Sequence, residues 1–122
     1  MVEPIAGFTI TTEDELERSG RWSLVRKTLG LESFGINLVE IAPGQGIPEH
    51  NEAERDHEEL FIVLEGDLVA VIDGERHPLS ARAYVRVDPQ PTRTFVNEGD
   101  AVAQLLIVSA PRTSGFEPLS WA

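Results

Sequence analysis

The sequence predicts an all-β fold, a closed barrel or a double-sheet jelly roll. Three observations carry that prediction. From residue 22 to residue 109 the chain breaks into eight runs of four to eight residues in which apolar and polar side chains alternate, the period of a half-buried strand. Turn chemistry separates the runs: Asp73-Gly74 is a two-residue hairpin signal, and Glu65-Gly66 and Glu98-Gly99-Asp100 mark further reversals. The run LFIVLEGDLVAVIDG, left at an open edge, would be an aggregation template, and closure or cover removes that hazard.

The elements follow in order. Residues 1–20 read as a short N-terminal arm, in which Thr12 and Glu15 fit a capping box and predict a helical turn over 13–18. Strands are expected at 22–29, 34–41, 59–64, 67–72, 76–79, 83–87, 92–97 and 102–109. Pro43, Pro48, Pro78, Pro89 and Pro91 fall at strand ends or loops, where a missing N–H does no harm. Residues 21–110 form the barrel domain, and 111–122 form a tail rich in Pro, Gly and Ser. Its Leu119 and Trp121 are expected to fold back onto the body or onto a partner chain.

Composition bounds the function. The chain has 122 residues, enough for one domain with a real core, and no cysteine, which removes disulfides, thiolate nucleophiles and Cys–zinc sites. Ten basic against 21 acidic residues give a formal charge of −11, which repels phosphate backbones and anionic lipid, so neither nucleic acid nor membrane is an expected partner. The opening residues MVEPIAGFTI lack the basic and apolar regions of a secretory leader, and no apolar run approaches a membrane span, so the cytoplasm is the expected compartment.

The densest chemistry lies in PGQGIPEHNEAERDHEELFIVLEG, which holds two of the three histidines. In an extended chain Glu59, Phe61 and Val63 share one face, with His57 joining them, while Leu60, Ile62 and Leu64 take the other. Both faces are apolar further along, so Glu59 is expected at the rim of a buried pocket. There its carboxylate needs a cation, an arginine or a proton. The acidic loop around it lacks the glycine-centred pattern of an EF-hand and reads as solvated. No Ser-His-Asp arrangement and no Gly-rich phosphate loop is readable.

Gly44, five residues and His50, then Glu59, six residues and Gly66, resemble the first motif of the cupin superfamily, G-x5-H-x-H-x3–4-E-x6-G. The second motif, G-x5-P-x-G-x2-H-x3-N, is matched in RAYVRVDPQPTRTFVNEGD by Pro89 and Asn97, with Arg82 for the first glycine, Gln90 for the small turn residue and Arg93 for the histidine. The resemblance implies a cupin-like jelly-roll β-barrel and, for proteins of this size, a homodimer paired through edge strands or exchanged arms. Metal-binding cupins use three histidines and a glutamate from these motifs. Carried over, His50 and Glu59 match, Glu52 stands where the second histidine belongs, and the longer spacing lets His57 serve instead.

Two readings stay open. In one, His50, His57 and Glu59, with Glu52 as a further donor, hold one divalent transition metal (zinc, iron, nickel or manganese) for isomerase or dioxygenase chemistry. In the other, Arg93, a fixed cation that cannot ligate, neutralises Glu59, no tightly bound cofactor is needed, and the barrel binds a small anionic or polar organic molecule. Its pocket would be built from His50, Glu59, Phe61, Arg93 and Phe95. A cation beside a divalent ion is unfavourable at low dielectric, which favours the second reading. A filled barrel acting as a structural or regulatory domain is the third possibility.

Overall fold

The computed structural model describes residues 7–122. Nine strands are described: β1 (Arg18–Ser19), β2 (Trp22–Ser23), β3 (Gly35–Ile41), β4 (His57–Glu65), β5 (Leu68–Ile72), β6 (Glu75–Leu79), β7 (Tyr84–Val87), β8 (Arg93–Val96) and β9 (Ala103–Pro111). They form two antiparallel sheets, one of order β1-β2-β3-β9-β4-β7 and one of order β6-β5-β8. This is the jelly-roll sandwich the alternation predicts, with two sheets facing each other rather than one closed ring of strands.

Turns set the register. Asp73 (φ 49°) and Gly74 (φ 81°) take the left-handed conformation a two-residue hairpin requires, and they join β5 to β6 with Ile72 opposite Glu75. Gly66 (φ 77°) ends β4, and a Cβ there would stand 2.9 Å from Ala103 Cα. Asn97 is 1% exposed; its amide donates to the carbonyls of Ile41 and Ala101, both at 2.8 Å, and its Oδ1 accepts from Gly99 N–H. One buried side chain thus ties the end of β3 to the turn before β9.

The core lies between the sheets. Val39, Ile41, Phe61, Val63 and Leu105 of the larger sheet meet Leu68, Ala70 and Phe95 of the smaller. The rings of Phe61 and Phe95 pack with centroids 4.5 Å apart, tilted by 33°.

The N-terminal third departs from expectation. A strand over 22–29 is replaced by the short β2 and the helix α1 (Val25–Leu29). Gly30 in the left-handed region (φ 74°) closes the helix. Thr28 anchors it: its hydroxyl donates to Leu24 O at 2.7 Å and accepts from Glu17 N–H at 3.0 Å. The helical turn expected over 13–18 is a single 3-10 turn, Glu13–Glu15, with no side-chain cap, because the Thr12 hydroxyl donates to the Asp14 carboxylate instead. Arg18 and Ser19, placed in the expected arm, pair with β2 as part of the larger sheet. The first six residues of that arm lie outside the described residues. Beyond Pro111 the tail stays exposed, with Phe116 at 80%, Leu119 at 64% and Trp121 at 83%.

Candidate functional site

Residues 46–50 run antiparallel along the edge of β8 that β5 leaves free. Gly46 bridges to Val96 and His50 to Arg93. A Cβ on Gly46 would meet Val96 Cγ1 at 2.8 Å, so this close approach needs glycine. His50 N–H donates to Arg93 O at 3.1 Å, and Arg93 N–H donates to His50 O at 2.8 Å. Residues exchanging both bonds in this way lie directly opposite, with their side chains on one face. Backbone pairing therefore brings the imidazole and the guanidinium together. β4 supplies the third member from the other sheet. Its alternation sends Glu59 inward beside Phe61 and Val63, with exposures of 6%, 0% and 0%.

The three groups meet. Glu59 Oε1 lies 3.2 Å from Arg93 Nε and 3.4 Å from His50 Nε2. The arginine contact is Coulombic rather than an aligned hydrogen bond, since both of its atoms are buried without a hydrogen-bond partner. Arg93 is fully buried and directs its other donors at backbone: one terminal nitrogen to the carbonyls of Pro89 and Pro91, the other to Asp88 O at 2.8 Å. Arg93, expected to contact the ligand, is therefore closed off from it, because the turn preceding β8 has folded around the guanidinium.

A fourth group completes the cluster. Asn51 forms an Asx turn, its Oδ1 accepting from Ala53 N–H at 3.1 Å, and Glu52 N–H donates to Pro89 O at 2.9 Å. These bonds turn Glu52 inward, where it is 8% exposed. One of its oxygens lies 3.3 Å from His50 Nε2; the other accepts from Arg55 at 2.6 Å. Arg112 secures the loop from the far side by donating to the Asp56 carboxylate at 2.9 Å. His57 stands at the margin: its Nδ1 is buried without a hydrogen-bond partner, 3.9 Å from Glu52.

His50 Nδ1 lies 2.9 Å from Pro48 O. A carbonyl only accepts, so Nδ1 carries a proton, and Nε2 is the ring atom that faces Glu52 and Glu59. Burial pushes the Glu59 carboxyl above the usual range, and repulsion from Glu52 adds to it. The charges of Arg93 and His50 and the His50 hydrogen bond pull the other way without reversing the shift. His50, Glu52 and Glu59 each offer one donor atom within 4.8 Å of the others, so this trio can hold a metal ion; His57, expected as a ligand, is outside it.

Next to the cluster opens a cavity of about 790 Å³. Its polar end is formed by His50, Glu52, His57 and Glu59, and Trp22, Ile47 and Ile107 give it apolar walls. Phe61 and Phe95, expected in the pocket lining, lie in the filled core and are not part of this wall, since both rings are fully enclosed between the sheets. The sequence marks no site role for Arg55 or Trp22, and Glu52 only as a further donor. Glu52 is marked solely by its place in the motif, two residues after His50.

A family model described as a cupin domain matches residues 37–109. Polyketide synthase CurC of Streptomyces cyaneus is 32% identical over 101 residues, and the match covers 81% of this chain and 64% of that protein, so this chain spans less than two thirds of that relative. Among solved structures, a cupin protein of Bacteroides fragilis aligns with a TM-score of 0.80 at 19% identity, over 96% of this chain and 94% of that one. A sugar phosphate isomerase from a cupin superfamily, of Silicibacter pomeroyi, aligns with a TM-score of 0.70 at 27% identity, over 80% of this chain and 72% of that one.

Proposed function

This chain belongs to the cupin domain family, and from that premise we propose that its cavity binds a small, polar, oxygen-rich organic molecule without a tightly held metal. One observation carries this reading: the buried carboxylates already have cations of their own. Glu59 lies against Arg93, and Glu52 against Arg55. Two negative and two positive charges balance before any ligand enters, so no divalent ion is required to neutralise the site.

What remains for a ligand is a set of acceptors. The carboxylates of Glu52 and Glu59 invite hydroxyl donors and disfavour an anion at the same point, since Arg93 is fully enclosed and takes no part in the cavity wall. The polar end of the ligand is thus a hydroxyl or enol, and its body lies on Trp22, Ile47 and Ile107. The names of the two relatives, a polyketide synthase and a sugar phosphate isomerase, support an oxygen-rich ligand of that kind.

Trp22 lines the cavity, so its fluorescence reports occupancy. With Trp121→Phe leaving Trp22 as the single tryptophan, titration with 2-naphthol is expected to quench saturably, and its methyl ether, lacking the donor, to bind about tenfold more weakly or worse. Equal binding of the two removes the hydroxyl-acceptor role of the cluster, and no saturable quenching by either removes the pocket reading.

A second reading rests on the closeness of the three donors. His50, with its tautomer set by Pro48, together with Glu52 and Glu59, would hold a divalent ion that polarises a substrate oxygen. Elemental analysis of protein purified without chelator or affinity-tag nickel separates the two. Stoichiometric metal that disappears in His50→Ala establishes the second reading; substoichiometric metal unaffected by that change supports the first.

A further inference from the structure

The two ends of the cavity differ in charge. Glu52 and Glu59 form its buried end, and α1 with the segment after it forms the other. Sheet order sets the distance between them. β3 and β4 flank β9, so the strand of Glu59 and β3 stand two inter-strand steps apart, about 10 Å, and α1 packs against β3. Polar groups fill the interval. Val39 and Leu105 point into the core, so Asn37 and Ser109, an even number of residues away on the same strands, share that face and line the cavity. Ser109 pairs directly with Glu59 on one side and with Gly35 on the other. A Cβ on Gly35 would stand 2.9 Å from Ser109 Oγ, so glycine leaves room for the hydroxyl. A polar track thus leads from the carboxylates toward α1.

Arg26 is the cation at that end. It lies on α1, lines the cavity and is exposed. One terminal nitrogen donates to Leu31 O at 3.2 Å, which holds the guanidinium beside another residue of the wall. The opposite edge, Nε with the second terminal nitrogen, can take a carboxylate through two parallel bonds and makes none among the described residues. Arg55, also on the wall, has turned that same edge to Glu52, at 3.1 and 2.6 Å. In a chain with 21 acidic residues, Arg26 is the cavity arginine left without a carboxylate among those described.

We propose that Arg26 reads the anionic end of the ligand, and that the ligand is a hydroxylated carboxylic acid with its hydroxyl on Glu52 and Glu59 and its carboxylate on Arg26. The proposal rests on the hydroxyl-acceptor reading of the cluster and adds the chemistry of the opposite end. Arg93, enclosed by its own turn, cannot supply that contact. Glu32 lines the same end, and its charge favours a carboxylate over a phosphate dianion there.

Isothermal titration calorimetry of the full chain at neutral pH tests this with 6-hydroxy-2-naphthoic acid, its methyl ester and 2-naphthol. The acid holds hydroxyl and carboxylate at opposite ends of a rigid bicycle, and it is expected to bind about tenfold more tightly than either neutral probe. Arg26→Gln is expected to remove that advantage and leave 2-naphthol unchanged; the position is exposed, so the variant keeps its core. Arg82→Gln removes the same charge away from the cavity wall and is expected to keep the advantage. An acid that binds no better than its ester overturns the proposal. So does an advantage that survives Arg26→Gln, or one that Arg82→Gln removes equally, which is a general effect of charge. An acid bound through Arg26 while 2-naphthol fails to bind supports the anion contact and removes the hydroxyl reading alone; no binding of any probe removes both.

Discussion

Glu59 is the residue on which the site turns, because its charge is held against the tendency of its surroundings. Burial and the nearby Glu52 raise its pKa above the usual glutamate value of 4.5, while Arg93 and His50 oppose the rise only in part. A carboxyl whose folded pKa is raised binds a proton more tightly in the native state than in the unfolded chain. Below 4.5 both states are protonated and the group contributes nothing; as pH climbs from 4.5 through the folded pKa, the unfolded state ionises first and stability is lost. Glu59→Gln cannot ionise and escapes this loss. The other acidic residues are common to both proteins and cancel in the difference. Urea denaturation of both proteins between pH 4.5 and 8 is therefore expected to show the glutamine variant gaining on the parent as pH rises. A gap that stays level, or moves toward the parent, means that Arg93 and His50 outweigh burial.

At the scale of elements, legibility in the sequence followed the strength of the period-2 signal. β3 to β9 fall within three residues of their expected positions because apolar alternation and Gly-marked turns agree there. The helix α1 was hidden: five residues are too few for helical periodicity to show, and Trp22-Ser23-Leu24 before it alternates as a strand does. His50, Glu59 and Arg93 were readable because motif spacing and strand parity bring them to one point. Glu52 was not distinguishable by composition, one buried carboxylate among several exposed ones, since an Asx turn and a backbone bond to Pro89 decide its direction. Neither could the wall contributed by Trp22 be foreseen, since it depends on β2 pairing with β3. Turn glycines give a prediction at this scale. Gly66 and Gly74 both have positive φ, but a Cβ on Gly66 meets β9 whereas one on Gly74 meets nothing within 4 Å. Gly74→Ala is expected to destabilise by about 1 kcal/mol from backbone strain alone. Gly66→Ala should exceed it by about 1–2 kcal/mol, because Ala103 must move. Equal losses in thermal unfolding would mean that β9 yields freely at that contact.

For the whole molecule the governing quantity is charge. Twenty-one acidic residues face ten basic ones, and seven of those basic residues are already paired with carboxylates: Arg18, Lys27, Arg55, Arg76, Arg86, Arg93 and Arg112. The excess is negative, it lies mostly on the surface, and in the compact state it repels itself. Screening shortens from about 30 Å at 0.01 M salt to about 8 Å at 0.15 M. Added NaCl relieves this repulsion and also weakens the exposed ion pairs, each worth about 1 kcal/mol or less. With unpaired acid in excess the first effect wins, so the melting temperature is expected to rise between those two salt concentrations. Manganese chloride at matched ionic strength then isolates the cluster of His50, Glu52 and Glu59 from the general surface. If Arg93 and Arg55 already balance the two carboxylates, manganese raises the melting temperature no further than sodium does. An ion bound by the trio would instead add about 2.7 kcal/mol at a hundredfold excess over its dissociation constant, a shift of roughly 10 °C for a chain of this length. That extra rise, absent in His50→Ala, would move the charge balance of the site from its arginines to a metal.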